Sequence, residues 1–585
     1  MNGLVANQLE YIGVKSNPNE APCAIQLISN DNGIEVFRVS IDSTKPFIPE
    51  PVIVEWKIPA INVKGVWKNT VDFAKRIEPD WELKNMESRI SIDSPVMSLF
   101  GNQDENVLSF ACSNAIDRID LGAKYREEDN HFYCQMIFFM ECPYEIENFS
   151  ADILIDRRNI HFSKCLVNIS QWWETYNMQP LQVPEIAKKP LYSTWYQYHQ
   201  NLDPDELLGE CRMAVDLGFD SIIIDDGWQT NDNNRGYDYT GDWLPERIPD
   251  MKQFVQSLQS TGIKVGLWYS VPFCGKKSKA YQRFKGKFLT ETHRWAPVFD
   301  PRYPEVRQYL VDIYTSAVRD WGLDGLKLDF IDDFRRYEET SSAPQGKDFL
   351  SINEAVDTLL SEVLQETRAV NPDIFIEFRQ RYIGPAIRKY GNMLRAFDCP
   401  GDYTMNRVRI ADIKMLSGNT AVHSDMVTWH FDEPVEYAAL QLINTLFGVP
   451  QVSMILKDIP QGHLEMIRFY VEYWRENADL FLDGDFLPTS PLSNYPIQTV
   501  KNEGKLIAGV YDDHHLTIEQ TFENIDILNA KISTTITVIQ NKETGHYRFE
   551  IFDCKGRLVS TDILDKGLSL LNIPSCGIVK MKLIN

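Results

Sequence analysis

The chain has 585 residues, 43% of them hydrophobic and 24% charged, the proportions of a soluble globular protein with apolar material for more than one core. Its formal net charge of −24 argues against nucleic acid and anionic membranes as partners, since both carry the same sign. No run of ~18 apolar residues offers a transmembrane helix, and the 10 scattered cysteines contain neither a C-x-x-C pair nor a zinc-like Cys/His spacing.

The opening residues, 1–13, lack a basic segment followed by an apolar one, so no secretory leader is expected. The cysteines then read as mostly buried thiols in a reducing, cytoplasmic setting. Residues 1–185 are β-rich. Short alternating runs at 34–41, 51–58, 107–111 and 133–141 are separated by Pro, Asn, Asp and Gly, which predicts an N-terminal β-sandwich.

From 186 to 480 strands and helices alternate, the signature of parallel βαβ units. Candidate strands lie at 192–198, 221–225, 264–269, 325–330, 374–378, 393–397, 420–423 and 451–456. Helical spacing marks 204–217, 305–321, 352–370, 434–447 and 463–477. Eight such units predict a (β/α)8 barrel. An open doubly wound sheet would more often carry a Gly-rich phosphate loop after its first strand, and none is present. The polar segment 231–242 reads as a barrel loop. Residues 481–585 return to apolar and alternating runs, at 506–511, 532–539, 547–552 and 578–583, and predict a small C-terminal β-sandwich.

Catalytic groups in such barrels sit at the C-terminal ends of strands. Asp225-Asp226-Gly227-Trp228 ends the second strand, Lys327-Leu328-Asp329 the fourth and Arg395-Ala396-Phe397-Asp398 the sixth. Trp195 and Tyr196 lie on the first strand and Trp268 on the third. Lys327 and Asp329 are two apart, so they share a strand face, and the lysine favours an ionised carboxylate suited to nucleophilic attack. Asp398 is the first choice for an acid/base and Asp402 the second, with a helix-capping role as the alternative for Asp402. Adjacent Asp225 and Asp226 suit sugar hydroxyls better than a metal, since the loop continues with Gly, Trp and Gln. Asp332 and Asp333 read as loop or helix-start carboxylates. No metal or cofactor is expected.

These motifs, together with Ser193-Thr194-Trp195-Tyr196, resemble the α-galactosidases of glycoside hydrolase family 36. The resemblance implies a barrel between two β-domains, with Asp329 as nucleophile and Asp398 as acid/base. Asp225 and Asp226 would grip the 4- and 6-hydroxyls. Lys327 and Arg395 would be substrate-binding cations, and Trp195, Trp228 and Trp268 aromatic neighbours of the sugar. This chain departs from the family in three places. Ile331 stands where many members have Asn, Asp398-Cys399-Pro400-Gly401-Asp402 replaces the usual turn after strand six, and Glu377-Phe378-Arg379-Gln380-Arg381 replaces a Cys- and Gly-rich turn that shapes the 2-position. His423 and Asp425 either complete the pocket or form a barrel-end pair.

The implied activity is two-step, retaining removal of terminal α-linked galactose from a small oligosaccharide or glycoside. The same scaffold also fits an α-N-acetylgalactosaminidase or an α-galactosyl transglycosylase. A non-catalytic sugar-binding barrel and a metal-dependent hydrolase are the readings from other classes. By analogy, the long N-terminal domain would reach over a neighbour's site in a homo-oligomer.

Overall fold

The computed structural model describes residues 11–15, 23–82, 84–342, 345–541, 545–564 and 566–584. The segment read for a leader lies, up to residue 10, outside them. Residues 11–156 fold into an antiparallel sandwich of a five-stranded and a six-stranded sheet. Strand Val52–Pro59 buries Val52, Val54, Trp56 and Ile58. Its partner His131–Phe138 buries Phe132, Cys134, Met136 and Phe138, the two-residue alternation of a sheet with one face in the core.

One helix, Phe162–Glu174, follows within the region expected to be β-rich. It buries Phe162, Cys165, Leu166, Ile169 and Trp173, a helical stripe too short to stand out among its polar neighbours.

The barrel strands are β1 Leu191–Ser193, β2 Ser221–Ile224, β3 Lys264–Ser270, β4 Gly325–Asp329, β5 Phe375–Arg379, β6 Met393–Arg395, β7 Ala421–His423 and β8 Gln451–Val452. They pair in parallel, and the bridge between His423 and Val449 closes β7 onto the start of β8. Outside pack α1 Pro204–Asp216, α2 Met251–Gln259, α3 Pro304–Trp321, α4 Ile352–Val370, α5 Tyr403–Lys414, α6 Val435–Ile443 and α7 Gln461–Glu476. The (β/α)8 expectation holds, with one helix missing: β5 reaches β6 through a single 3-10 turn, Ile387–Lys389. The Phe162–Glu174 helix lies beside that turn, where Arg388 Nη1 donates to Ser170 Oγ at 2.6 Å.

Three strands end two or more residues earlier than expected. β1 stops at Ser193, and Trp195–Tyr198 form a helical turn over the mouth. β6 stops at Arg395 and β8 at Val452. At the barrel floor Phe375 fills the axis, and only glycine fits opposite it. A Cβ on Gly325 would meet the Phe375 ring at 2.1 Å, and one on Gly266 at 2.7 Å. Above this plug the inward positions turn polar.

Residues 485–584 form a seven-stranded and a three-stranded sheet around Ala508, Ile525, Ile527 and Val538, as expected of a C-terminal sandwich. A buried carboxylate ties the three regions together. Asp412 of α5 accepts hydrogen bonds from Trp67 Nε1 (2.9 Å) and Lys75 Nζ (2.8 Å) of the N-terminal sandwich, and from Tyr495 OH (2.5 Å) on the C-terminal side.

Candidate active site

The strand periodicity of β4 turns Lys327 and Asp329 inward, and Phe330, at φ 64°, ends the strand in a left-handed turn. Asp329 Oδ1 accepts from Arg379 Nε, Tyr382 OH and Phe330 N, each at 2.7 Å. Its Oδ2 accepts from Trp268 Nε1 at 2.9 Å. Burial on its own pushes this carboxyl up. The Arg379 and Lys327 charges, with the Tyr382 and Trp268 donors, outweigh it and hold Asp329 far below the usual carboxylate range. The group is ionised, fixed in orientation and still 6% exposed.

Lys327 shares the strand face with Asp329 and favours its ionised form, as the spacing suggests, without a direct bond. Its Nζ donates to Asp225 Oδ2 at 2.6 Å and reaches Asp329 through charge alone. The direct cation on Asp329 is Arg379, which ends β5 as carboxylates end β2 and β4. Its guanidinium lies 5.0 Å from the Phe397 ring and 5.1 Å from that of Phe330.

Asp225 and Asp226 are both buried at the end of β2. Asp225 Oδ1 accepts from Asp226 N, and Asp226 accepts from the Gln200 amide (2.7 Å) and the Gln229 amide (2.6 Å). Burial, with the neighbouring Asp225 charge, pushes the Asp226 carboxyl up to about 7. Trp268 stacks on Tyr237 at 6.0 Å, and Trp195 stands half-buried, edge-on to His199.

Trp228 is not in the pocket. It is 0% exposed, packed among Trp243, Tyr269 and Trp321, with Nε1 donating to the Trp268 carbonyl. Following the aspartate pair in sequence did not set its direction, because the chain turns at Gly227 (φ 120°).

Across the mouth Asp398 is 40% exposed at its side chain and accepts from Arg395 Nη2 at 2.8 Å. Burial raises its carboxyl, but Arg395, Arg379 and Lys327 together hold it below the ordinary range. Arg395 itself is fully buried. It pairs with Asp398, Asp425 and Glu377 and donates to the Ala396 carbonyl, so it organises carboxylates rather than meeting a sugar hydroxyl as expected. Asp425 also accepts from Tyr196 OH (2.7 Å) and Cys399 N (2.6 Å), and burial pushes it up to about 6.

Asp402 stands apart from this centre. Its Oδ1 caps α5 by accepting from Met405 N at 2.8 Å, which removes the second-choice acid/base. His423 and Asp425 part company too. Asp425 joins the Asp398 side, while His423 points at the Ala187 carbonyl deeper in the barrel. Asp332 lies within the 3-10 turn Ile331–Asp333, and burial pushes its carboxyl up to about 6.

The N-terminal sandwich braces this rim. Asp93 N donates to the Arg381 carbonyl at 2.7 Å, Arg381 Nη2 returns a bond to Asp93 Oδ2 at 3.2 Å, and a Cβ on Gly384 would meet the Asp93 carbonyl at 2.6 Å. Among the described residues no group of three or more His, Cys, Asp or Glu is placed to hold a metal ion, and no helix is long and apolar enough to cross a membrane.

No family model matches the chain. Over an alignment of 191 residues the chain is 25% identical to a probable α-galactosidase C of Aspergillus flavus, covering 29% of this chain and 25% of that relative. The chain thus matches about a quarter of the relative's length. Over 99% of its own length it superposes on the α-galactosidase of Lactobacillus brevis (85% of that chain) with a TM-score of 0.64 and 14% identity. Over 100% it superposes on the family 36 α-galactosidase AgaA of Geobacillus stearothermophilus, solved in complex with raffinose, covering 88% of that chain with a TM-score of 0.63 and 13% identity. The shared fold and the aligned segment bear out the resemblance read from the motifs.

Proposed function

We propose that this chain is a retaining glycoside hydrolase that removes terminal α-linked galactose by double displacement. The observation that carries the reading is the pairing of an ionised, firmly held Asp329 on β4 with a half-exposed Asp398 just after β6, at the end of the barrel where such enzymes work. Asp329 attacks the anomeric carbon as the bond to the leaving oxygen breaks, and Asp398 gives that oxygen its proton. Water, deprotonated by Asp398, then attacks the anomeric carbon and frees Asp329, so the configuration is retained.

Three donors on Oδ1 leave Oδ2, which holds only the Trp268 indole, as the attacking atom. The proton of the acid side belongs to Asp398 and Asp425 together, since both hang on the Arg395 fork. Asp225 and Asp226, at the floor of the same mouth, are the proposed hydroxyl-binding pair. Galactose is supported by the names of the relatives. The second reading, an α-N-acetylgalactosaminidase, has its support in the β5 turn Glu377–Arg381, which departs from the family pattern at the 2-position, and in the name of one relative, an A type blood α-D-galactosamine galactosaminidase. All 10 cysteines are unpaired and eight are buried, which supports a reducing, cytoplasmic setting. Subcellular fractionation showing an exported protein would overturn that part.

The test is release of nitrophenol from the aryl α-galactoside and from the α-N-acetylgalactosaminide, with the product anomer followed by NMR. Hydrolysis of the galactoside with α-galactose as first product is expected. Turnover of the acetamido sugar alone moves the specificity to the second reading. A β-anomer as first product, or no turnover of either, overturns the proposal.

A further inference from the structure

A cavity of about 530 Å³ opens between the segments that follow β1, β7 and β8, on the catalytic face of the barrel. Gln197, Trp429, Phe431, Met454, Ile455 and Ile459 line it. Most of its walls are apolar, and the side-chain N–H donors of Gln197 and Trp429 are already engaged. The Gln197 amide donates to Thr428 Oγ1 at 2.7 Å, and the Trp429 indole N–H donates to His463 Nδ1 at 3.1 Å. Phe431 is 50% exposed and stacks on His430 at 4.4 Å. Asp458 adds a carboxylate at the rim.

The cavity adjoins one particular side of the catalytic centre. Tyr196, next to Gln197 in the chain, donates to Asp425, and its backbone N–H donates to Ser453 Oγ, one residue before Met454. Asp425 shares Arg395 with Asp398. The cavity therefore lies on the acid/base side, away from β4 and β5, which carry and clamp Asp329. In a double displacement the leaving group departs toward the general acid.

We infer that this cavity is the aglycone subsite and that it takes a planar apolar leaving group, such as an aryl aglycone, in preference to a second sugar. A second sugar would set most of its hydroxyls against Trp429, Phe431, Met454, Ile455 and Ile459, with only Gln197, His430 and Asp458 to answer them, whereas an aromatic ring would lie on Phe431 and the Met454–Ile455 edge. This rests on the glycosidase reading and deepens it by naming the substrate class.

The experiment compares three α-galactosyl substrates that differ only in the leaving group: the nitrophenyl glycoside, an α-galactosyl disaccharide and the fluoride, which places nothing in the cavity. Wild type is set beside Phe431→Ala and Phe431→Tyr. The expected result is a loss of about three- to tenfold in kcat/KM for Phe431→Ala on the nitrophenyl substrate, carried mostly by KM. The fluoride should be unaffected, and Phe431→Tyr should retain wild-type values. Equal losses on the fluoride and the nitrophenyl substrate, no loss on the latter, or a larger loss on the disaccharide would each overturn the subsite while leaving the glycosidase standing. Wild type inert toward all three substrates would bring down the galactosidase reading and the subsite with it.

Discussion

Asp329 and Asp412 are held by almost the same set of groups. Each accepts from an indole N–H, Trp268 or Trp67, from a phenol, Tyr382 or Tyr495, and from a cation, Arg379 or Lys75. One sits in the barrel mouth and the other at the junction of the three regions. Ligand chemistry alone does not separate them. Asp412 is 1% exposed and faces groups that only hold it, whereas Asp329 keeps 6% exposure and shares its mouth with Asp398. A buried carboxylate network becomes a candidate for chemistry when one face stays open and a second titratable group looks onto it.

The largest expected effects contrast the two aspartates directly. Asp329→Asn should lower kcat by about ten-thousand-fold in protein that is still folded by circular dichroism. Asp412→Ala should leave buried Lys75 without its carboxylate partner. It should cost about 3–5 kcal/mol in denaturant unfolding while the folded fraction keeps wild-type kcat. If Asp412→Ala also abolished turnover in folded protein, the division between chemistry and scaffold would collapse.

The phenols sharpen the same contrast at smaller scale. Tyr382→Phe removes a donor to the ionised Asp329 and should lower kcat roughly ten- to a hundredfold. Tyr495→Phe should cost about 1–2 kcal/mol of stability and leave kcat alone.

The smallest effect concerns the acid side. Asp425, pushed up to about 6, is an anion above that pH, and its charge favours the proton on Asp398. Asp425→Asn removes this charge, so the basic limb of the kcat/KM profile should move to lower pH, by about one unit. A shift to higher pH would mean that Asp398 and Asp425 do not share a proton.

Much of the barrel was legible because each strand pairs an apolar run with a flanking turn signal, and Lys327 and Asp329 share a face by simple alternation. At β1 the aromatic run Trp195–Tyr198 has a strand-like composition that the turn over the mouth overrides. Asp402 was separable from Asp398 only by its capping bond, a three-dimensional fact. Arg379 carried a signal, a charged residue ending β5, but appeared in the motifs only as a departure from the family turn. Tyr382 carried none, since it reaches Asp329 only after the chain has folded back past β5. Trp228 looked like a pocket residue from adjacency, and the backbone turn at Gly227 sends it into the core instead.

The contact of Asp93 with Arg381 joins residues 288 apart in the chain. During synthesis the sandwich emerges first, and domains generally fold as units from the N-terminus. When the β5 turn is made, the surface it will rest on is already in place, down to the carbonyl that fits only against Gly384. The N-terminal region thus acts as a mould for the turn that carries Tyr382 and follows Arg379. A barrel made without it would have to shape that rim unaided, so the sandwich and the barrel are not modules to be exchanged independently.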